Sequence, residues 1–347
     1  MPSPDGVRIR QLEPADSARW DAFVERMPQA TFFHRAGWRR VLEEAFGHSA
    51  YFLYAESEAG EILGVLPLGH IRSRLFGNGL VSTPFCVYGG SVGVSAGVCE
   101  RLDAEACRLA ESLGVDHLEL RCRSRCHEDW PRKDLYVTFR KAIDPDPERN
   151  LLAIPRKQRA MVRKGMQAAL ESRLDSDVDT IHRIYSESVR NLGTPVFSKR
   201  YFHVLKDVFG DDCEILTVHH GGKVVAGVLS FLFRDEVLPY YGGGSAEARA
   251  CKANDFMYWE VMRRACERGI QVFDFGRSKI GTGAFDFKRN WGFEPEPMSY
   301  EFHLVRSTEV PDVNPLNPKY SLFIAGWRRL PLPLSRMMGP FISKYLG

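Results

Sequence analysis

One spacing recurs along this 347-residue chain, and it restricts the possible architecture more than any property of composition. Thr31, Gly47 and Gly64 have counterparts in Thr194, Gly210 and Gly227, and 194 − 31, 210 − 47 and 227 − 64 all equal 163. At the same shift Val41-Leu42 meets Val204-Leu205, Phe46 meets Phe209, and Gly64-Val65-Leu66 meets Gly227-Val228-Leu229. Farther on, Gly114-Val115 and Leu118-Glu119-Leu120 meet Gly269-Ile270 and Phe273-Asp274-Phe275 at 269 − 114 = 155, so the first copy carries 163 − 155 = 8 extra residues, placed near 77–79. A register kept across several elements is the mark of a duplicated unit.

The first copy reads as a strand at 7–12, then a helix with Trp20, Phe23 and Val24 at helical spacing, then a second helix in TFFHRAGWRRVLEEAFG that ends at Gly47. A hairpin at 51–56 and 62–68 follows, then a strand pair around Gly77-Asn78-Gly79, a helix at 100–113 closed by Gly114, and a strand at 117–121. Alternation of this kind predicts an α/β fold with mixed sheets flanked by helices. We place two domains at 7–143 and 150–305, joined by Asp144-Pro145-Asp146-Pro147, with a tail at 317–347 outside both copies. A chain of this length exceeds what one core usually fills.

Composition enters mainly by exclusion. With 44% hydrophobic and 26% charged residues the chain is neither disordered nor fibrous, and a net charge of +3 gives no global field for DNA. The eight cysteines follow no disulfide framework, and Cys122, Cys126 and His127 lack a C-x-x-C partner pair, so no metal site is expected. The opening MPSPDGVRIR has no apolar signal core and no run reaches ~18 apolar residues, which predicts a cytoplasmic protein.

The segment FDFGRSKIGTGAFDFKRNWGF at 273–293 carries the densest chemistry. Asp274 stands at a strand exit, where a carboxylate orients an amine and takes its proton, or simply bonds nearby loop amides. Lys288, with loop amides at Gly281 and Gly283, is a candidate to hold a developing oxyanion, against the alternative of a solvated helix lysine. Arg277, Ser278 and Thr282 add donors to the same loop. Upstream, Tyr241, Gly243, Gly244 and Arg249 lie where a glycine-rich strand exit feeds a helix start capped by Asn254 or Asp255, an arrangement suited to an anion. Tyr241 has an equivalent in Tyr88, so a packing role in both copies stays open. His34 and Trp38 either face a substrate cleft or belong to the core. Arg156, Arg159 and Arg163 share a helix face and could hold the phosphates of a donor or carrier, or remain a solvated face.

The motifs FFHRAGW, GVLPL, LVSTPFCVYGG, IPRKQRAMVRKG, FDFGRSKIGTG, FKRNWGF and NPKY…GWRRLPLPLSRMMGP resemble FemAB-related proteins of the kind associated with exosortase (PEP-CTERM) and exopolysaccharide loci. The duplicated halves are similar to tandem GNAT-type acyltransferase domains, among them the BioF2-like acetyltransferase domain. The resemblance implies acyl or aminoacyl transfer to an amine of a cell-envelope or exopolysaccharide-related acceptor. It implies no tightly bound cofactor, and a catalytic second half. Neither half carries an R/Q-x-x-G-x-G/A loop, so the donor stays open among acyl-CoA, an acyl carrier and aminoacyl-tRNA. A non-catalytic assembly module of the same fold is the alternative.

The tail mixes Phe323, Trp327, Met337, Met338 and Phe341 with Arg328, Arg329, Arg336 and Lys344, and Pro331 and Pro333 divide it into two short helices. Such a segment either docks on a domain or lies on the inner face of the cytoplasmic membrane.

Overall fold

A computed structural model describes residues 6–311 and 321–347; residues 317–320 of the tail, including the motif NPKY, lie outside the described residues. The chain forms two compact units, Met1–Asp134 with Pro297–Asp312 and Lys344–Gly347, and Leu135–Glu296 with Val313–Ser343.

The sheet of the first unit runs in the order β1 (Arg8–Gln11), β2 (Ser49–Glu56), β3 (Ile62–Ser73), β4 (Gly77–Ser82), β6 (His117–Cys122), β17 (Ser299–Leu304) and β7 (Arg132–Lys133), with β5 (Val92–Gly93) added on β3. Helices α1 (Ser17–Arg26), α2 (Gly37–Arg40, continued by a π-turn over Val41–Phe46) and α3 (Ala96–Leu113) complete it. Val98, Leu102, Ala106 and Ala110 recur every four residues on α3 and pack on Leu53, Leu66, Leu68, Leu118 and Leu120 of the sheet. That spacing is why this segment is a helix with one buried stripe.

The main sheet of the second unit has the order β10 (Glu171–Asp175), β11 (Cys213–His220), β12 (Lys223–Phe233), β13 (Glu236–Gly244), β14 (Val272–Asp274) and β9 (Arg140–Ala142). A smaller sheet joins β15 (Ser278–Lys279), β8 (Tyr136–Thr138) and β16 (Glu296–Pro297). Around them lie α4 (Pro147–Ala153), α5 (Arg156–Gln167), α6 (Val178–Leu192), α7 (Lys199–Phe209), α8 (Ala246–Cys251), α9 (Ala253–Glu267), α10 (Gly283–Asn290), α11 (Ser321–Arg329) and α12 (Leu332–Ser343).

The duplication is visible in the ladders. Arg8 pairs with Glu56 and Glu171 with His219, and 171 − 8 = 219 − 56 = 163. The units nevertheless differ from the two stretches drawn in chain order. β9 ends the stretch drawn for the first copy but pairs with β14, and β17 ends the stretch drawn for the second copy but pairs with β6. Each sheet therefore takes its sixth strand from the end of the other stretch, which moves 135–143 to the second unit and 297–305 to the first. Local periodicity cannot report this, because a strand's pattern says which face is buried and not which neighbour it pairs with.

Two local readings also shift. The turn expected at 77–79 falls at 74–76, and 77–79 begin β4. Arg249, expected between the strand exit and the helix that follows, lies in a short helix of its own, α8, capped by Ser245, whose Oγ accepts from the amide of Ala248 at 3.4 Å, and neither Asn254 nor Asp255 caps α9. The helices of the tail form as expected and dock on α6 and the segment after it: Ser343 Oγ donates to Val196 O at 3.0 Å, and Arg336 donates to Arg183 O at 3.2 Å.

Candidate functional site

In the second unit β13 and β14 lie parallel, and their ladder spans Glu236 opposite Val272 and Val237 opposite Phe273. Beyond that β14 ends at Asp274 while β13 runs on to Gly244, so the sheet opens at the strand exit that carries the loop 275–283. The matching place in the first unit is filled. Ser82 Oγ accepts from the amides of Gly90 and Arg121, both at 2.9 Å. The Arg121 guanidinium donates to Glu119 at 2.8 Å and to Cys86 O at 2.9 Å. At 121 + 155 = 276 the second copy has glycine in place of that arginine.

The loop is folded by its own short-range bonds. The amide of Gly276 donates to Asp274 Oδ1 at 2.7 Å, and Gly276 has φ 67°, which a side chain would resist. Ser278 and Lys279 pair with Val137 and Tyr136, and the amide of Ile280 donates to Leu135 O at 3.1 Å. Thr282 closes the loop: its hydroxyl donates to Lys279 O at 2.8 Å and caps α10 by accepting from the amide of Phe285.

Lys288, on α10, reaches back into this loop, where its Nζ donates to Gly276 O at 2.9 Å and Arg277 O at 3.0 Å. Its side chain is half-buried as a whole but its ammonium end is enclosed, 5.6 Å from the Phe139 ring centre. Burial pushes its pKa down to about 7, against an upward pull from Asp274 and with a further lowering by Arg277. The guanidinium of Arg277 and the amine of Lys279 lie over Tyr136, at 4.7 Å and 5.4 Å from its ring centre. Ser278 is buried, and its hydroxyl makes no hydrogen bond.

Asp274 is fully buried, held by the Gly276 amide and with Arg140 Nε 3.3 Å away. So enclosed, the carboxylate is placed to position the loop and, with Glu236, the guanidinium of Arg140, which ion-pairs with both acids. Arg140, Tyr136 and Phe139 escaped the sequence reading because they lie at the end of the stretch assigned to the first domain, and no motif marks them.

The other expected residues fall into different places. Tyr241 is buried among Tyr185, Phe197, Tyr201 and Phe202, its hydroxyl 2.8 Å from that of Tyr201, and burial holds its pKa well above the usual tyrosine value. Gly243 and Gly244 serve close packing: a Cβ on Gly243 would lie 2.9 Å from Ser188 Cβ and 3.1 Å from Ile184 O, and one on Gly244 would strike Asn254. Arg249 is exposed on α8. Gly281 (φ 79°) and Gly283 stand in open space, so a side chain at Gly283 would meet nothing. On α5, Arg156 and Arg163 are exposed, whereas Arg159 donates to Leu152 O at 2.7 Å, and the buried residues of the helix are Val162 and Gly165.

His34 and Trp38 sit in the core of the first unit and not on a cleft wall. Trp38 donates to Phe32 O at 3.2 Å, and His34 Nδ1 closes a capping box with Thr31 while burial pushes its pKa down to about 4. Cys122, Cys126 and Glu301 bring potential ligand atoms within 4.8 Å of one another. Glu301, however, already accepts from the amides of Cys126 (2.8 Å) and His127 (2.9 Å), from Ser299 Oγ (2.7 Å) and from His127 Nδ1 (2.9 Å), which uses its lone pairs to anchor that loop.

The acetyltransferase (GNAT) domain family matches residues 156–289, a stretch that contains the open strand exit, the loop and Lys288. No curated protein sequence matches the chain. Among solved structures it is similar to FemX (14% identity, 91% of this chain and 100% of that one, TM-score 0.65). It is similar to the C-terminal domain of a protein described as a lysylphosphatidylglycerol synthetase from Agrobacterium fabrum (15% identity, 83% and 91%, TM-score 0.55). It is also similar to a tandem GNAT protein from the clavulanic acid biosynthesis pathway (13% identity, 87% and 100%, TM-score 0.51). At these identities the likeness establishes the fold: two tandem GNAT-like units.

Proposed function

We propose that the protein is an N-acyltransferase that moves an acyl or aminoacyl group onto an amine of a cell-envelope or exopolysaccharide-related acceptor, with the chemistry in the second unit. The observation that carries this reading is Lys288, an enclosed amine beside an opened parallel strand pair. Two carbonyls take two of its N–H groups in either protonation state. The third position is then an N–H when the group is charged and a lone pair when it is neutral. With a pKa of about 7 both forms are populated near neutral pH.

The step follows from that duality. The neutral acceptor amine attacks the donor carbonyl carbon, the C–N bond forms, and the carbonyl electron pair moves onto oxygen. Charged Lys288 would stabilise that oxyanion; neutral Lys288 would take the proton the new ammonium must lose and pass it to the departing thiolate or alkoxide as the intermediate collapses. Asp274 and Arg140 act through the loop by fixing where Gly276 and Arg277 present their carbonyls. The donor is acyl-CoA, an acyl carrier or aminoacyl-tRNA. The exposed Arg156 and Arg163 are suited to its phosphates, and the acceptor is a small-molecule or envelope-precursor amine. The GNAT family match over 156–289 supports acyl transfer, and the likeness to a lysylphosphatidylglycerol synthetase domain supports an envelope acceptor.

The test is transfer itself. The full chain is incubated with isotopically labelled acyl-CoA or aminoacyl-tRNA and an extract of amine-bearing envelope precursors, and labelled amide is measured by mass spectrometry. Transfer that disappears in a folded Lys288→Met variant is expected. A folded wild-type chain that moves neither label, or a Lys288→Met variant that moves it equally well, overturns the reading.

A further inference from the structure

The last helix of the tail, α12, has its faces reversed from those of an ordinary surface helix. On α12 the residues buried against the second unit are Ser335, Gly339 and Ser343, spaced i, i+4 and i+8. Gly339 lies so close to Val196 that a Cβ would be 2.7 Å from its carbonyl oxygen. The opposite face, Leu334, Met337, Met338 and Phe341 at i, i+3, i+4 and i+7, is 42%, 61%, 42% and 70% exposed. On α11, Trp327 is buried while Leu322 and Phe323 are 86% and 43% exposed. A surface helix ordinarily turns its large apolar residues inward and its small or polar ones out. On α12 small residues make the contact and the bulky ones face outward, and exposed apolar surface of this kind marks an interaction site.

Charge decides what that surface meets. Residues 321–347 contain Arg328, Arg329, Arg336 and Lys344 and no aspartate or glutamate. Arg328 and Arg329 are exposed at the end of α11, next to the turn that leads into the apolar face of α12. Exposed arginines beside an apolar face, on a segment without carboxylates, complement an anionic lipid surface, where methionine, leucine and phenylalanine side chains settle below the headgroups and arginines meet lipid phosphate. Among the described residues no helix is long and apolar enough to cross a membrane, so the contact is one that lies on the bilayer. We propose that α11 and α12 are a peripheral docking face for anionic membrane, and this holds whether or not the second unit transfers acyl groups.

Flotation of the full chain with vesicles tests it, using phosphatidylcholine alone and phosphatidylcholine mixed with phosphatidylglycerol. The wild type should bind the anionic vesicles roughly tenfold better than the neutral ones at low salt, with the advantage shrinking as salt rises. The double variant Met337→Gln, Phe341→Gln alters exposed side chains only, so it should keep the wild-type melting curve yet lose at least about tenfold in vesicle binding. Arg328→Gln with Arg329→Gln should lose binding to anionic vesicles and not to neutral ones. Equal binding of the wild type and the Met337/Phe341 variant, or no binding to either vesicle, overturns the proposal. A wild-type dimer that this variant converts to monomer, without vesicle binding in either, would instead assign the face to a second copy of the chain.

Discussion

Lys288 illustrates how one enclosed charge makes stability depend on pH. Unfolded, a lysine keeps its proton up to pH 10.5; in the folded loop, burial brings that down to about 7. Between those values unfolding takes up a proton, so stability rises as pH climbs from about 7 toward 10.5. From pH 7 to pH 9 the wild type should gain about 2 kcal/mol relative to Lys288→Met, the slope approaching about 1.36 kcal/mol per pH unit once the folded amine is neutral. Thermal or urea melts of the two across that range check it, and parallel curves would mean the amine reaches water. The glycines of β13 give a second, opposite case. Gly243→Ala should cost about 1–3 kcal/mol through the clash with Ser188 and Ile184, while transfer per folded molecule stays unchanged. A selective loss of activity without loss of stability would return Gly243 to the binding site. Both glycines looked like a ligand loop in the sequence, since a short residue chosen for close packing and one chosen for a ligand read alike.

Comparing β4/β6 with β13/β14 shows one element pair put to two uses. In the first unit Arg121 is 2% exposed and its guanidinium ties Glu119 to the carbonyls of 83 and 86. Replacing it with leucine leaves Glu119 enclosed without its cation and should destabilise the chain by about 3–5 kcal/mol, read from urea unfolding. Much smaller losses would show that Glu119 finds another partner once the guanidinium is gone. In the second unit glycine at 276 leaves the same position to a backbone carbonyl, and Lys288 from α10 supplies the charge. The strand–loop–helix at 273–293 was legible because local signals define it: Gly276 and Gly281 at positive φ, Thr282 as a cap, and a helix with its cations in the last turn. What those signals could not convey was that Asp274 points inward, since a strand residue's face depends on what packs above it.

The exchange of sixth strands governs how the chain can be divided. A fragment comprising residues 1–143 contains the first copy as drawn from sequence yet lacks β17, so β6 would present an open edge with Phe302 and Tyr300, both 1% exposed in the chain, missing from its core. Such a fragment should melt without cooperativity, and addition of a peptide spanning 297–312 should restore a cooperative transition in circular dichroism. A fragment 1–143 that folds cooperatively alone would refute the dependence on β17. The same exchange brings Tyr136, Phe139 and Arg140 to the loop of the second unit, and all three were invisible as site residues beforehand.

Periodicity, glycine punctuation and the 163-residue shift are written in the order of residues, and they were enough for the duplicated α/β architecture, the helix ends at Gly47 and Gly114, and the position of the polar loop before α10. Each rests on interactions within a few positions of the chain, or on similarity between distant positions, and both survive translation into a string of letters. Strand partners, the inward turn of Asp274, the reversed faces of α12 and the lowered pKa of Lys288 rest on which surfaces meet after folding. Those depend on long-range complementarity in volume, hydrogen bonding and dielectric surroundings, for which neighbouring residues carry no record.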